Sequence, residues 1–243
     1  MTVLTCILAA TVIITCSATI PPNFKRCQRT NPQFQTCLLE AAQHGVQQLT
    51  KPYQELDLPN LEPLEVAALT VSGGSTVSAG QNFSSCSVHG LTGIKLDKFR
   101  LDLKTKILEA SGTIKRMKFS CRYELDGRTF GVPVQSQGNS TIAFDAFKAN
   151  FFALFDEVLR AGKTYYQTAY SEMTSSVDKV DFQFDHNFEG GKVLENVVKR
   201  ILNENWREIS GEIQEDYNGV IRQTLTKIID RILNKVSIEE LFG

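Results

Sequence analysis

The apolar residues change their spacing along the chain, and each change marks a different element. Met1 to Ala18 carry no charge, and Val3 to Ile14 form an apolar run too short to span a bilayer. Cys16 and Ala18 supply small residues before a cleavage point after Ala18. Residues 1–18 therefore read as a secretory signal peptide, without the usual basic residue behind Met1. A membrane anchor or a buried first strand is the other reading of this run. The remainder, 19–243, reads as a single domain.

Asn31-Pro32 then opens a turn. Phe34, Cys37, Leu38, Ala41, Ala42, Val46 and Leu49 recur at helical spacing up to Lys51-Pro52. A connector follows, in which Pro52, Pro59 and Pro63 alternate with leucines. From about Leu64 to Phe188 the period falls to two. Met117, Phe119, Cys121, Tyr123 and Leu125 alternate, and Asp126-Gly127 is the dipeptide of a tight hairpin turn. Phe130, Val132 and Val134 alternate on the return. Ile94 and Leu96 are out of phase with Phe99, Leu101 and Leu103, which predicts a bulge near Asp97-Lys98. Val180, Phe182, Phe184 and His186 alternate late in the block. Consecutive strands with short links predict an antiparallel meander with one aromatic face.

After Gly190-Gly191 the helical period returns and runs from Leu194 through Val198, Leu202, Trp206, Ile209, Ile213, Tyr217, Ile221, Leu225 and Ile228 to Leu233. This predicts a helix of about 40 residues, about 60 Å long, with Gly211 and Gly219 as points of bending or splitting. Such a helix needs a partner along its apolar stripe, and the aromatic sheet face is available. The predicted fold class is α+β: a long helix laid against, or wrapped by, an antiparallel sheet, with a short N-terminal helix.

Charge narrows the function. Lys and Arg total 26 against 27 Asp and Glu, a formal net charge of -1. A chain so balanced has no general pull on nucleic acid or anionic membrane. No later segment has the roughly 18 unbroken apolar residues of a membrane span. Removal of Cys6 and Cys16 with the leader leaves Cys27, Cys37, Cys86 and Cys121. An even number in an exported chain points to disulfides, and four cysteines allow three connectivities. Cys27–Cys37 is the favoured local pair, worth roughly 2–3 kcal/mol in the chain-entropy description. Cys86 and Cys121 then pair with each other or stay as buried thiols. Asn82-Phe83-Ser84 and Asn139-Ser140-Thr141 are glycosylation acceptors.

Motifs for catalysis are missing. Gly162-Lys163-Thr164 lacks the first glycine of a phosphate loop, because Glu157 stands there. Gly73-Gly74-Ser75-Thr76-Val77 lacks the last glycine of a nucleophile elbow. His44, His89 and His186 are scattered. The expectation is a protein that is not an enzyme and needs no cofactor or metal. Fifteen Phe, six Tyr and one Trp leave abundant apolar surface, enough for a dry core or for a lipophilic pocket.

Several short stretches resemble the takeout and juvenile hormone binding protein family of secreted insect proteins, over about Cys27 to Phe242. Cys27 and Cys37 match its N-terminal disulfide. Leu58-Pro59 with Glu62-Pro63-Leu64 resembles the segment leading into its first strand. Tyr123-Glu124-Leu125-Asp126-Gly127 followed by Val132-Pro133-Val134 is similar to its hairpin. Asn187-Phe188 with Gly190, and Ile238 to Phe242, match its later segments. Leu202-Asn203-Glu204-Asn205-Trp206 resembles the "l-N-x-n-W" of its long helix. The resemblance implies a helix wrapped by a strongly curved sheet, with an internal hydrophobic tunnel holding one elongated lipophilic ligand.

The chain departs from the hormone carriers in two ways. Its long helix has no cysteine, and Val134-Gln135-Ser136-Gln137 has no tyrosine where those carriers offer a hydroxyl. Both departures favour the takeout-like branch. The expected function is an extracellular carrier of a juvenile-hormone-like terpenoid or a fatty acid. The alternative is a secreted signalling protein of circadian or feeding output, with a cell-surface receptor as its partner. The candidate ligand-binding residues are Phe99, Leu101, Leu103, Met117, Phe119, Tyr123, Phe130, Val132, Phe182, Phe184 and Trp206.

Overall fold

The computed structural model describes residues 20–71, 80–129, 131–185 and 191–243. The expected signal peptide lies outside these residues. So do Phe130, His186, Asn187, Phe188, Gly190 and most of the Gly- and Ser-rich stretch from Ser72.

The order along the chain is α1 (Phe34–Gln48), β1 (Leu64–Val71), β2 (Gly80–His89), β3 (Lys95–Asp102), β4 (Ile107–Thr129) and β5 (Val132–Arg160). Then come β6 (Lys163–Ser176), β7 (Lys179–Phe184), α2 (Gly191–Glu204), α3 (Trp206–Leu233) and α4 (Ile238–Phe242). All the strands form one antiparallel sheet curled around the helices.

The spine of that sheet is the β4–β5 ribbon, in register from Ile107↔Leu154 to Thr129↔Val132. The ribbon turns back between Thr129 and Val132, and Gly131 there has φ 78, where glycine is free of the Cβ clash. The turn expected at Asp126-Gly127 is therefore corrected. These residues stay paired inside the ladder, opposite Gln135 and Val134.

The expected meander order is corrected as well. β2 and β3 occupy the same edge of β4 one after the other, against Lys118–Asp126 and Ile107–Thr113. β6 and β7 likewise divide the outer edge of β5. Two long strands with two short partners each replace a simple zigzag.

Halfway along the ribbon the buried positions change parity. On β4 they are Leu108 and Ile114, then Met117, Phe119, Cys121 and Tyr123. On β5 they are Ile142, then Phe147, Phe151, Ala153 and Phe155. The change falls at one level on both strands, beside the Arg116–Asp145 ion pair (2.7 Å) and Ala146 at φ 50. A one-residue slip turns side chains to the opposite face. Because both strands slip together, the buried face stays continuous along the ribbon. The bulge expected near Asp97 is present, since Leu96 pairs with Gly112 and Lys98 with Ser111. A Cβ on Gly112 would stand 2.7 Å from the Lys95 carbonyl oxygen, so the bulge needs glycine there.

Two disulfides fasten the shell. Cys27–Cys37 ties the N-terminal segment to α1. Cys86–Cys121 joins β2 to β4 at a second bulge, between Ser84 and Ser87.

The expected single long helix is two segments. The break falls at Asn205 and not at Gly211 or Gly219, both of which lie within α3. The Asn205 side-chain amide donates to the Ile201 carbonyl at 2.7 Å, alongside its own backbone N–H at 3.0 Å. Local competition of this kind bends helices.

The helices reach the sheet edges through amide side chains. Gln35 bonds both the N–H and the C=O of Leu101 on β3, and Gln43 bonds Leu96 N–H and Ile94 C=O. Asn203 on α2 bonds both backbone groups of Phe182 on β7, at 2.9 and 3.0 Å. Unpaired strand edges are templates for aggregation, and these contacts cover them.

Candidate ligand-binding site

The first half of α3 and the middle of the sheet enclose a cavity of about 320 Å³. Met117 of β4 and Ile142, Phe144 and Phe147 of β5 form its floor. Val177, Val180 and Phe182 form the side at β7. The helix contributes Trp206, Ile213, Tyr217 and Ile221. The apolar wall has a physical origin. The cavity sits at the parity change, where β4 and β5 turn successive large side chains inward and α3 lies across them.

The polar residues of the lining are Ser175, Ser176, Arg207, Ser210, Gln214 and Tyr217. Asn218 on α3 is buried and accepts a hydrogen bond from the Ser175 hydroxyl at 2.6 Å. Gln214 donates to the Ser175 carbonyl. Arg207 is exposed at the rim, its guanidinium 4.7 Å from the centre of the Trp206 ring. Tyr217 is 8% exposed and meets Phe144 and Phe119 edge-on, with centroids 6.0 and 6.3 Å away. Burial, and secondarily the charge of Asp216, push its hydroxyl well above the usual tyrosine range.

Three of the sequence-derived candidates meet at this cavity: Met117, Phe182 and Trp206. Phe119 is in the layer behind, packed on Phe144 and Tyr217. Tyr123 is also in the core, hydrogen-bonded to Ser136 at 2.7 Å and packed on Phe184. Phe99, Leu101 and Leu103 are on and just after β3, which packs against α1. Phe130 and the side chain of Val132 lie outside what is described. Lining residues absent from the sequence-derived set include Ile142, Phe144, Phe147, Val180, Ile213 and Tyr217. Ile213 and Tyr217 were visible as members of the helical stripe. Nothing in the stripe distinguished cavity wall from core.

A second hollow of about 400 Å³, at Pro22–Lys25, Glu40 and His44, is a surface groove crossed by the Lys25–Glu40 ion pair. His44 and His89 are on separate elements, α1 and β2. Among the described residues no cluster of His, Cys, Asp or Glu could hold a metal ion. Among them, too, no helix is long and apolar enough to cross a membrane. Asn82 and Asn139, the two sequon residues, are exposed on β2 and β5.

A sequence profile described as haemolymph juvenile hormone binding protein (JHBP) matches residues 3–243. The circadian clock-controlled protein daywake of Drosophila melanogaster is 22% identical over 91% of this chain and 88% of its own length. Daywake of Drosophila yakuba is 23% identical over 94% and 90%. The crystal structure of Takeout 1 from Epiphyas postvittana superposes with a TM-score of 0.78 at 20% identity, covering 90% of this chain and 99% of that one. At that identity the likeness is one of fold.

Proposed function

The chain belongs to the haemolymph juvenile hormone binding protein family, and from that premise we propose that it is a secreted carrier. It takes one lipophilic small molecule, terpenoid or fatty-acid-like, into the cavity between α3 and the sheet. The observation that carries this reading is the cavity itself, walled mainly by Met, Ile, Val and aromatic side chains. Burying about 300 Å² of apolar ligand surface at roughly 25 cal/mol per Å² supplies about 7 kcal/mol before entropic costs, enough for micromolar binding. The two disulfides and the two exposed sequons support an exported protein. The family supports binding without catalysis.

Titration with the neutral fluorophore phenylnaphthylamine tests the reading. Saturable uptake at one site, displaced by a sesquiterpenoid or a fatty acid, is the expected result. Gly211→Leu locates that site. Gly211 lines the cavity, and a Cβ there meets nothing within 4 Å. Gly211 is exposed, so a leucine there should narrow the opening of the cavity without a clash while stabilising the helix by up to about 1 kcal/mol. Weaker uptake together with an unchanged or raised melting temperature supports the carrier. Failure of the wild type to take up any apolar probe would leave a dry core and favour the signalling alternative.

A further inference from the structure

The residues around the cavity differ in exposure. Ser176, Arg207 and Gly211 are exposed. Met117, Ile142, Val180, Phe182 and Ile213 are at most 4% exposed. The cavity thus has a closed apolar end and a mouth, which lies between the start of α3 and the turn from β6 to β7. Arg207, Ser210, Gly211 and Gln214 stand at i, i+3, i+4 and i+7, so one edge of the helix supplies its side of the mouth.

The charge at this mouth has one sign. Among the described residues Arg207 is the only charged member of the lining. Glu208, Glu212, Glu215 and Asp216 stand at other positions around the same turns, and none of them lines the cavity. Asp178, in the β6–β7 turn, is 3.8 Å from Lys148. Arg207 is also uncommitted. The other two arginines of α3 are bonded, Arg222 to Ser171 and Arg231 to Asp57. Arg207 makes no hydrogen bond or ion pair with another described residue, and its guanidinium rests on the ring of Trp206, a wall residue. That contact holds the cation beside the cavity and leaves its N–H donors for a ligand.

We propose that the cavity takes a single-chain lipid with one carboxylate, a medium-chain fatty acid, whose tail fills the closed end and whose head sits in the mouth on Arg207 and the Ser210 hydroxyl. This rests on the carrier reading and names the ligand class. A carboxylate in the mouth keeps much of its hydration, so burying the tail does not bury the charge. A guanidinium presents paired donors that match two carboxylate oxygens, and one cation balances one charge. Gly211 leaves room for the head, since a Cβ there meets nothing within 4 Å. A volume of about 320 Å³ is near the lower end of small-molecule sites, which favours a short or medium chain.

The test measures laurate, dodecanol and dodecylammonium as competitors of phenylnaphthylamine on wild type, Arg207→Gln and Arg207→Lys. The three ligands share a chain and differ in head charge. R207Q should weaken laurate about fivefold, leave dodecanol unchanged and not weaken dodecylammonium. R207K keeps the charge without the fork and should restore part of the loss. The loss should shrink in about 1 M salt, which screens a charge at the surface. Arg207 is exposed, so these substitutions should leave the fold intact, and an unchanged affinity for dodecanol checks this. Laurate binding indifferent to R207Q would overturn the assignment, as would an equal effect on laurate and dodecanol. If dodecanol displaces the probe and laurate does not, only this inference falls. If no probe enters wild type, the carrier reading falls with it.

Discussion

Asn203 shows how much of this fold depends on single amides. Its side chain bonds both backbone groups of Phe182 and also donates to the Lys199 carbonyl. Gln35 and Gln43 do the same for β3. Truncating such a group leaves edge-strand donors and acceptors half-buried without a partner. Asn203→Ala should destabilise by about 1–3 kcal/mol, read as a lower urea midpoint. A change below about 0.5 kcal/mol would mean that water replaces the amide at no loss. In the sequence Asn203 stood out only through a resemblance, and Gln35 and Gln43 did not stand out. An amide on a helix looks like solvated surface until the strand it faces is known.

At the scale of the element, α3 has two working faces, and only one was legible. The apolar stripe follows from the helical period. The other face is a polar row at every fourth residue: Gln214, Asn218, Arg222, Thr226 and Asp230. These residues bond Ser175, Ser171 and Thr168 of β6. Asp230 accepts from both the N–H and the hydroxyl of Thr168, next to the bulge between Leu154 and Phe155 of β5 and their β6 partners. The helix is thus seated on the sheet through polar contacts, while its apolar side faces the cavity and core. Polar residues at this spacing read as exposed, so periodicity alone assigns them to water.

The C-terminal helix α4 makes a pH prediction. Ser237 and Glu240 form a reciprocal capping box, and Lys163 on β6 bonds Glu240 at 2.7 Å. The bond from Lys163 holds the Glu240 carboxyl below its usual 4.5. The same bond raises Lys163 above its usual 10.5. A depressed carboxylate contributes stability above its unfolded pKa and loses it as pH falls through the folded value. A raised lysine contributes below its unfolded pKa and loses its part as pH rises through the folded value. The anchoring of α4 should therefore be constant across neutral pH and loosen below about 4.5 and above about 10.5. Amide hydrogen exchange of Ile238–Phe242 between neutral pH and mild acid measures the acid limb, after correction for intrinsic exchange rates. Glu240→Gln should weaken the acid dependence, and the remainder belongs to Glu239, whose carboxyl is also lowered and accepts from the Thr164 N–H at 3.3 Å; an undiminished dependence in that variant would assign it elsewhere.

At the scale of the whole molecule, a cavity inside a curled sheet links ligand to stability. A molecule that binds only the folded state at about 100 times its dissociation constant should add roughly 2.7 kcal/mol. The melting temperature should rise with probe concentration in wild type and rise less in G211L. A melting temperature indifferent to a saturating probe would mean that the probe does not bind the folded state in preference to the unfolded chain. Strands β3 and β7, the later part of β4, the first helix, the Asp97 bulge and the α+β class were legible because each leaves a local period, whereas β2 and β6 were not read. The spine was not. Lys115-Arg116 interrupts the alternation on β4 and imitates a strand end, while the hydrogen-bond ladder continues through it.

By itself the sequence determined which residues turn inward, where most elements begin, and the short-range disulfide, because these depend on neighbours within a few turns of chain. It also carried enough ordered short motifs to point to the family. Only the tertiary structure decided that β2 and β3 share one edge of β4, that Asn205 breaks the helix, and that Met117, Phe182 and Trp206 meet Tyr217 around one cavity. The reason is physical. Burial is written in a local period, but the difference between packed core and open cavity depends on how far two buried faces stand apart. That distance is set by the parity change in the ribbon and by the polar row that seats α3, and each joins residues tens of positions apart in the chain.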